Sequence, residues 1–264
     1  MKVQLNGVSI NYAERGLPQG LPLVMVHGFP FNHSMWDDQM MALPQDIRAV
    51  AFDLRGFGES EVGDGQYSIE FFVDDLIGLL DHLGIAEAVI CGLSMGGYIT
   101  LRAAERHPDR VRALVLCDTR SEADPNEGRI KRADSVRSVK KNGVKPFADQ
   151  FVRSVLAPAT LERQPAIVKR VRSMVEGNSP LAICGALLAM AARTDTTPSL
   201  AAIKVPTLIL VGEHDKLTPP SAAKTLHERI AGSQLSVIPE AAHLSNMENT
   251  SSFNEHLVKF LKSL

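Results

Sequence analysis

The sequence predicts an α/β protein: a doubly wound, mostly parallel sheet of eight strands, interrupted by one helical insertion. Three observations carry this expectation. Six short runs of Val, Ile and Leu are apolar throughout, as strands buried on both faces of a parallel sheet are. Segments with apolar residues every three or four positions separate them, the period of a helix with one face on the sheet. Between residues 119 and 197 no strand-like run occurs at all.

Taken in order, Val3 to Glu14 alternates apolar and polar residues around Asn6-Gly7, a dipeptide suited to a two-residue hairpin, and supplies the first two strands. After the Pro/Gly-rich stretch Gly16–Pro22, the run Leu23-Val24-Met25-Val26 ends at His27-Gly28. Similar runs follow at Ile47–Phe52, Ala88–Cys91, Val111–Cys117, Thr207–Val211 and Leu235–Ile238. Ile69, Phe72, Val73, Leu76, Leu80 and Leu83 mark one intervening helix. Met95 to His107 forms another, stopped by Pro108. Strand–helix–strand alternation with short connections implies right-handed crossovers. The insertion contains helical patches at Gly128–Lys141, Val144–Val155, Leu161–Val175 and Leu181–Ala192, punctuated by Gly143, Pro158, Gly177 and Pro180. The expected division is a sheet domain made of residues 1–118 and 198–264, with the insertion spanning 119–197.

The chain has 264 residues, 45% apolar and 22% charged, enough for a sizeable core without disulfides or metals. A formal net charge of −2 argues against a nucleic-acid binder and against an acidic disordered chain. The balance is uneven: Thr119–Leu200 holds 14 Lys and Arg against 8 Asp and Glu, so the insertion is basic and its flanks acidic. Cys91, Cys117 and Cys184 are far apart and unpaired in pattern, which reads as small buried hydrophobes in a reducing compartment. The opening MKVQLNGVSINY has no apolar signal segment, and no stretch reaches the ~20 apolar residues of a membrane span. The expected location is cytoplasmic.

The chemistry concentrates at Gly92-Leu93-Ser94-Met95-Gly96-Gly97, directly after one buried strand and before a helix. This G-x-S-x-G pattern in strand–turn–helix context is a nucleophile elbow, which lifts the serine hydroxyl above the sheet edge. A serine hydroxyl needs a base. Of eight histidines, His243 stands just past the last strand, at the carboxyl ends of the strands, where open α/β sheets bind ligands. His82, His107, His227 and His256 read as surface histidines on helices, His27 as a loop-ordering residue, and His33 as a loop residue near the site. The base in turn needs a carboxylate to hold its tautomer. Asp215 follows the strand Thr207–Val211, in the chain order Ser, Asp, His. Asp118, at the tip of the strand Val111–Cys117, is its rival.

Backbone N–H groups of Phe29, in the loop His27-Gly28-Phe29-Pro30, and of Met95, at the helix start, are the expected donors to a developing oxyanion. Asp53-Leu54-Arg55-Gly56-Phe57-Gly58 reads as architectural, an Asp–Arg pair locking a glycine-rich turn, and contains no dinucleotide fingerprint. No spacing of His, Cys, Asp or Glu suggests a metal. Met174, Leu187, Leu188 and Met190 are candidates for an apolar substrate pocket, although core packing is their simpler reading. Arg120, Arg129 and Arg132 could steer an anionic substrate, against the simpler reading of a solvated basic surface.

Together HGFP (27–30), DLRGFGES (53–60), GLSMGG (92–97), VGEHD (211–215) and AAHLSNME (241–248) resemble the α/β-hydrolase superfamily along nearly the whole chain. The likeness is greatest to small capped bacterial members: carboxylesterases, 3-oxoadipate enol-lactonases and cofactor-free haloperoxidase-like enzymes. It implies that the insertion is a cap over the active site and that Ser94, Asp215 and His243 form a catalytic triad. Haloalkane dehalogenases and epoxide hydrolases of this fold instead carry an aspartate where Ser94 stands. The expected activity is hydrolysis of a small-molecule ester or lactone through an acyl-enzyme on Ser94, with no cofactor, no metal, and no nucleic-acid or membrane partner. Perhydrolysis and C–C bond hydrolysis by the same three residues are the alternative. A non-catalytic ligand-binding protein on the same fold is a third.

Overall fold

In the computed structural model, which describes residues 1–264, Asn6 and Gly7 both take positive φ (48° and 82°). That is the backbone a two-residue hairpin needs to match strand twist, and it joins β1 (Lys2–Leu5) to β2 (Val8–Arg15) antiparallel. The apolar runs become β3 (Leu21–Val26), β4 (Ile47–Phe52), β5 (Ala88–Leu93), β6 (Val111–Cys117), β7 (Thr207–Gly212) and β8 (Gln234–Ile238). They form one eight-stranded sheet in the order β1-β2-β4-β3-β5-β6-β7-β8, parallel from β4 to β8.

The strand pleat sorts side chains into two cores. Leu23, Met25, Cys91 and Val115 face one side with Met40 of α1 (Asp37–Ala42) and Phe253 and Leu257 of α11 (Thr250–Leu261). Val24, Val26, Ile90 and Leu114 face the other with Phe72 and Leu76 of α2 (Ile69–His82), Ile99 of α3 (Met95–Arg106) and Leu226 of α9 (Pro220–Arg229). Each large apolar side chain removed from water contributes about 1.5–3 kcal/mol, so the two layers are the main source of stability. Helix α2 starts where Ser68 accepts the Phe71 N–H through its hydroxyl at 3.1 Å, a conventional cap for an orphan amide. Connections from β3 and β5 leave toward opposite edges of the sheet, so the switch point at which sheets of this kind bind ligands lies at the carboxyl ends of these two neighbours.

Between β6 and β7 lie five helices: α4 (Asn126–Asn142), α5 (Val144–Val155), α6 (Pro158–Arg163), α7 (Pro165–Glu176) and α8 (Pro180–Ala191). The sequence reading expects four. Its patch Leu161–Val175 divides because Gln164, held non-helical at φ −122° and ψ 62°, precedes Pro165, and a residue before proline is driven out of the helical region. No single helix is long and apolar enough to cross a membrane; α7 and α8 pass that test only as a pair, bent by 92°.

The turn after β4 corrects the expected Asp53–Arg55 pair. The Arg55 guanidinium instead grips both carboxylate oxygens of Asp75 on α2 at 2.6 Å. Asp53 points into its own turn and is fully buried. It accepts from the His33 backbone N–H and ring Nδ1 at 2.7 Å each, from Asn11 Nδ2 at 2.9 Å and from the Glu59 N–H at 2.9 Å. Gly58, at φ +56°, passes so close that a Cβ there would stand 2.4 Å from the Asp53 carboxyl. Burial alone would raise the Asp53 pKa, but the His33 hydrogen bonds and charge outweigh it and hold it at about 2. The same bond raises His33 above its ordinary 6.5.

Linkage then has a sign. The raised His33 contributes stability below about pH 6.5 that is lost as pH rises through its folded value, and the lowered Asp53 contributes stability lost as pH falls from about 3.8 toward 2. His33→Gln is therefore expected to remove a decline in Tm that the parent shows as pH rises above about 6.5. Melting curves across that range check it, and parallel profiles for the two proteins would refute it.

Candidate active site

Strand β5 delivers Ser94 to a tight turn, and α3 begins at the next residue. Ser94 takes φ 55° and ψ −112°, a left-handed conformation that costs energy for any residue with a Cβ. Close approach of helix and strand requires the neighbouring glycines: a Cβ at Gly96 would lie 2.2 Å from the Val26 carbonyl oxygen. The turn is pinned from β6, since the Ser94 N–H donates to the Cys117 carbonyl at 2.9 Å and the Thr119 hydroxyl donates to the Ser94 carbonyl at 2.8 Å.

The His243 ring meets this serine from a position 149 residues away, with Nε2 at 2.9 Å from Ser94 Oγ. Its other nitrogen, Nδ1, lies 2.8 Å from Asp215 Oδ2. The ring and the carboxylate are both buried. An acceptor carboxylate at Nδ1 places the proton there, which leaves Nε2 free to accept from the hydroxyl.

Asp215 is held by its own loop. Oδ1 accepts the Leu217 N–H at 2.8 Å and the Thr218 N–H at 3.0 Å, and Oδ2 accepts the Thr218 hydroxyl at 2.6 Å. Burial would raise this carboxyl, yet the imidazole and the Thr218 bonds prevail and its pKa is lowered. Thr218 Oγ also stands 3.2 Å from His243 Nδ1. The sequence reading did not single out Thr218; the signal available was a threonine three residues after an aspartate, a spacing at which side chain and backbone bond locally.

Asp118, the rival, contacts the histidine nowhere. Fully buried, it accepts the Gly212 N–H at 2.8 Å and the Ser245 hydroxyl. Burial, then the neighbouring Asp215 charge, pushes its carboxyl well above the ordinary value. The two environments drive the acids apart, Asp215 toward the anion and Asp118 toward the neutral form.

The loop after β3 closes the other side. A Cβ at Gly28 would stand 3.4 Å from Ser94 Cβ, so this loop runs against the serine. Neither the Phe29 nor the Met95 backbone N–H donates to any protein acceptor. His27 beneath is entirely buried and neutral, lowered by burial to about 4. It orders the loop, accepting the Leu54 N–H at Nε2 (3.0 Å) and contacting the Gly28 carbonyl through Nδ1 (2.8 Å). The Phe29 ring packs edge-on against Phe57 and against Phe147 and Phe151 of α5, at centroid distances of 5.9–6.2 Å.

The other pocket candidates separate. Met174, Leu187 and Met190 are buried in core packing, whereas Leu188 is 54% exposed. Leu188 is corrected: α8 turns it to solvent, on the outer side of a helix whose neighbours Leu187 and Ala189 face inward. Arg120 donates to the Leu217 carbonyl, bridging toward the loop that carries Asp215. Arg132 pairs with Asp124, and Arg129 is exposed with no ion pair.

Three comparisons with known proteins bear on this arrangement. A sequence model of the alpha/beta hydrolase fold matches residues 22–250. The chain is 31% identical over 258 residues to 3-oxoadipate enol-lactonase 2 of Acinetobacter baylyi, covering 97% of this chain and 94% of that one. Among solved structures, a thermophilic esterase from Thermogutta terrifontis superposes with a TM-score of 0.95 at 34% identity, covering 100% of this chain and 98% of that one. The enol-lactonase from Burkholderia xenovorans LB400 superposes with a TM-score of 0.93 at 30% identity, covering 99% and 100%.

Proposed function

The chain belongs to the α/β-hydrolase fold family, and from that premise we propose that it cleaves carboxylic ester or lactone bonds of small molecules through an acyl-enzyme on Ser94. One observation carries the reading: the continuous chain Ser94 Oγ, His243 Nε2, His243 Nδ1, Asp215 Oδ2, with links of 2.9 and 2.8 Å. Ser94 Oγ attacks the carbonyl carbon while its proton passes to Nε2, and the carbonyl π pair moves onto oxygen. The unpartnered amides of Phe29 and Met95 receive that oxyanion. Collapse expels the alkoxide, which takes the proton from His243 and leaves the acyl group on Ser94. Water, deprotonated by the same imidazole, then repeats the sequence and releases the acid. Asp215 steadies the imidazolium in both halves.

An ester or lactone is favoured over an amide because an alkoxide departs more readily than an amine, and because an esterase and enol-lactonases are among the chain's relatives. The insertion, residues 119–197, acts as the cap: Phe147 and Phe151 lie over the oxyanion loop through Phe29 and make its cover apolar. A fluorophosphonate is expected to form one covalent adduct, mapped to Ser94 by peptide mass spectrometry, and to abolish turnover of p-nitrophenyl esters and small lactones in proportion. An adduct elsewhere, or full turnover after complete labelling, would overturn the proposal.

A further inference from the structure

Glu248 closes the short helix α10 (Ser245–Glu248) and is 7% exposed, yet no lysine or arginine pairs with it. Four donors take the place of a cation. Oε1 accepts the N–H groups of Ala242 at 2.9 Å and Leu244 at 3.2 Å, the residues on either side of His243. Oε2 accepts the Ala157 N–H, in the turn from α5 into α6, and the Thr160 hydroxyl, in the first turn of α6, both at 2.7 Å. Between the two amides gripped by Oε1, the N–H of His243 itself donates to the Val155 carbonyl at the end of α5, at 3.0 Å. Three consecutive peptide groups around the histidine are thus fixed against the insertion, two of them through one carboxylate.

We propose that Glu248 is the positioning residue for His243: it holds the imidazole's peptide frame in register with the α5–α6 turn, so the base and the cover of the site move as one body. Only a carboxylate suits the place, since each oxygen must accept twice and all four partners present donors. A glutamine of the same shape presents one oxygen and one NH2, and sets donor against donor on one side. The histidine loop is held to the sheet separately, through Ser245 on Asp118 and the His214 N–H on the Ala241 carbonyl (2.8 Å). Loss of Glu248 therefore shifts the imidazole without unfolding the loop. The inference rests on the hydrolase reading for its kinetic consequence but not for its geometric one.

The test is Glu248→Gln beside Thr160→Val, which removes a single donor on the insertion side. Glu248→Gln is expected to lower kcat by roughly 10- to 100-fold with KM within about twofold, because misplacing a base by a fraction of an ångström weakens proton transfer more than substrate binding. The far-downfield N–H proton resonance of the His243–Asp215 hydrogen bond, assigned by its absence from Asp215→Asn, is expected to shift in both variants. Circular dichroism shows whether each is folded. If Glu248→Gln does not fold, Thr160→Val reads the same resonance and the same kcat with a smaller change. A folded variant with parental kcat and an unmoved resonance, or a loss confined to KM, overturns the proposal. A parent inert toward esters would defeat the hydrolase reading and leave the resonance test standing.

Discussion

Replacing Ser94 by alanine is expected to lower ester turnover by about six orders of magnitude with KM nearly unchanged, the scale on which a nucleophile and base that act as a unit are lost. In the proposed mechanism the hydroxyl oxygen is the bond-forming atom, and nothing beside it can take its place. Cys91 and Cys117 are fully buried with burial raising the Cys117 thiol, and Thr119 spends its hydroxyl on the Ser94 carbonyl. Alanine keeps the backbone of the turn, whose hydrogen bonds to β6 are made by the main chain and Thr119, so a melting curve close to the parent's should accompany the loss. The residual rate, read after active-site titration to discount contaminating parent, is what remains from oxyanion donors and orientation alone. A variant retaining even a hundredth of the parent's turnover would exclude Ser94 as the acylated group.

Asp215→Asn is expected to cost about 10⁴-fold in kcat while leaving the site's shape intact. Asparagine can still accept the Leu217 and Thr218 N–H groups through one oxygen, as Asp215 Oδ1 does now. Its amide nitrogen then faces His243 Nδ1, which must become the acceptor, and the proton moves to Nε2. A protonated Nε2 cannot receive the serine proton. Asp118 offers no rescue, because its carboxyl is pushed toward the neutral form and is committed to Gly212 and Ser245. Steady-state kinetics with a saturating ester, plus a structure of the variant, test this. A loss of less than tenfold with the geometry preserved would remove Asp215 from the mechanism.

The contrast between these two acids marks where sequence reasoning stops. Asp118 and Asp215 each follow a buried strand of the same parallel sheet and precede a turn, so local pattern places both at the same rim. Which one meets the imidazole depends on loop geometry: Leu217 and Thr218 turn the Asp215 carboxylate toward Nδ1, while Gly212 and Ser245 draw Asp118 away from it. Thr218 and Glu248 escaped notice for the same reason. Each is an ordinary polar residue whose importance lies in partners up to 91 positions distant. Arg55 is a third instance: two residues from Asp53, it bonds to Asp75 on α2 instead.

From the chain alone followed the sheet, the helical insertion, and the turn that exposes Ser94, because each of these is written in neighbouring residues. Apolar runs fix strands, three- and four-residue spacing fixes helices, and glycine at 92, 96 and 97 lets a strand turn sharply into a helix. What required the folded molecule was the pairing of side chains across that frame. A hydrogen bond is decided within a few tenths of an ångström, whereas sequence pattern locates a residue only to an element and a face. The meeting of Ser94 with His243 across 149 residues, and the carboxylate of Glu248 that ties the histidine loop to Ala157 and Thr160 of the insertion, are set by strand order and loop packing.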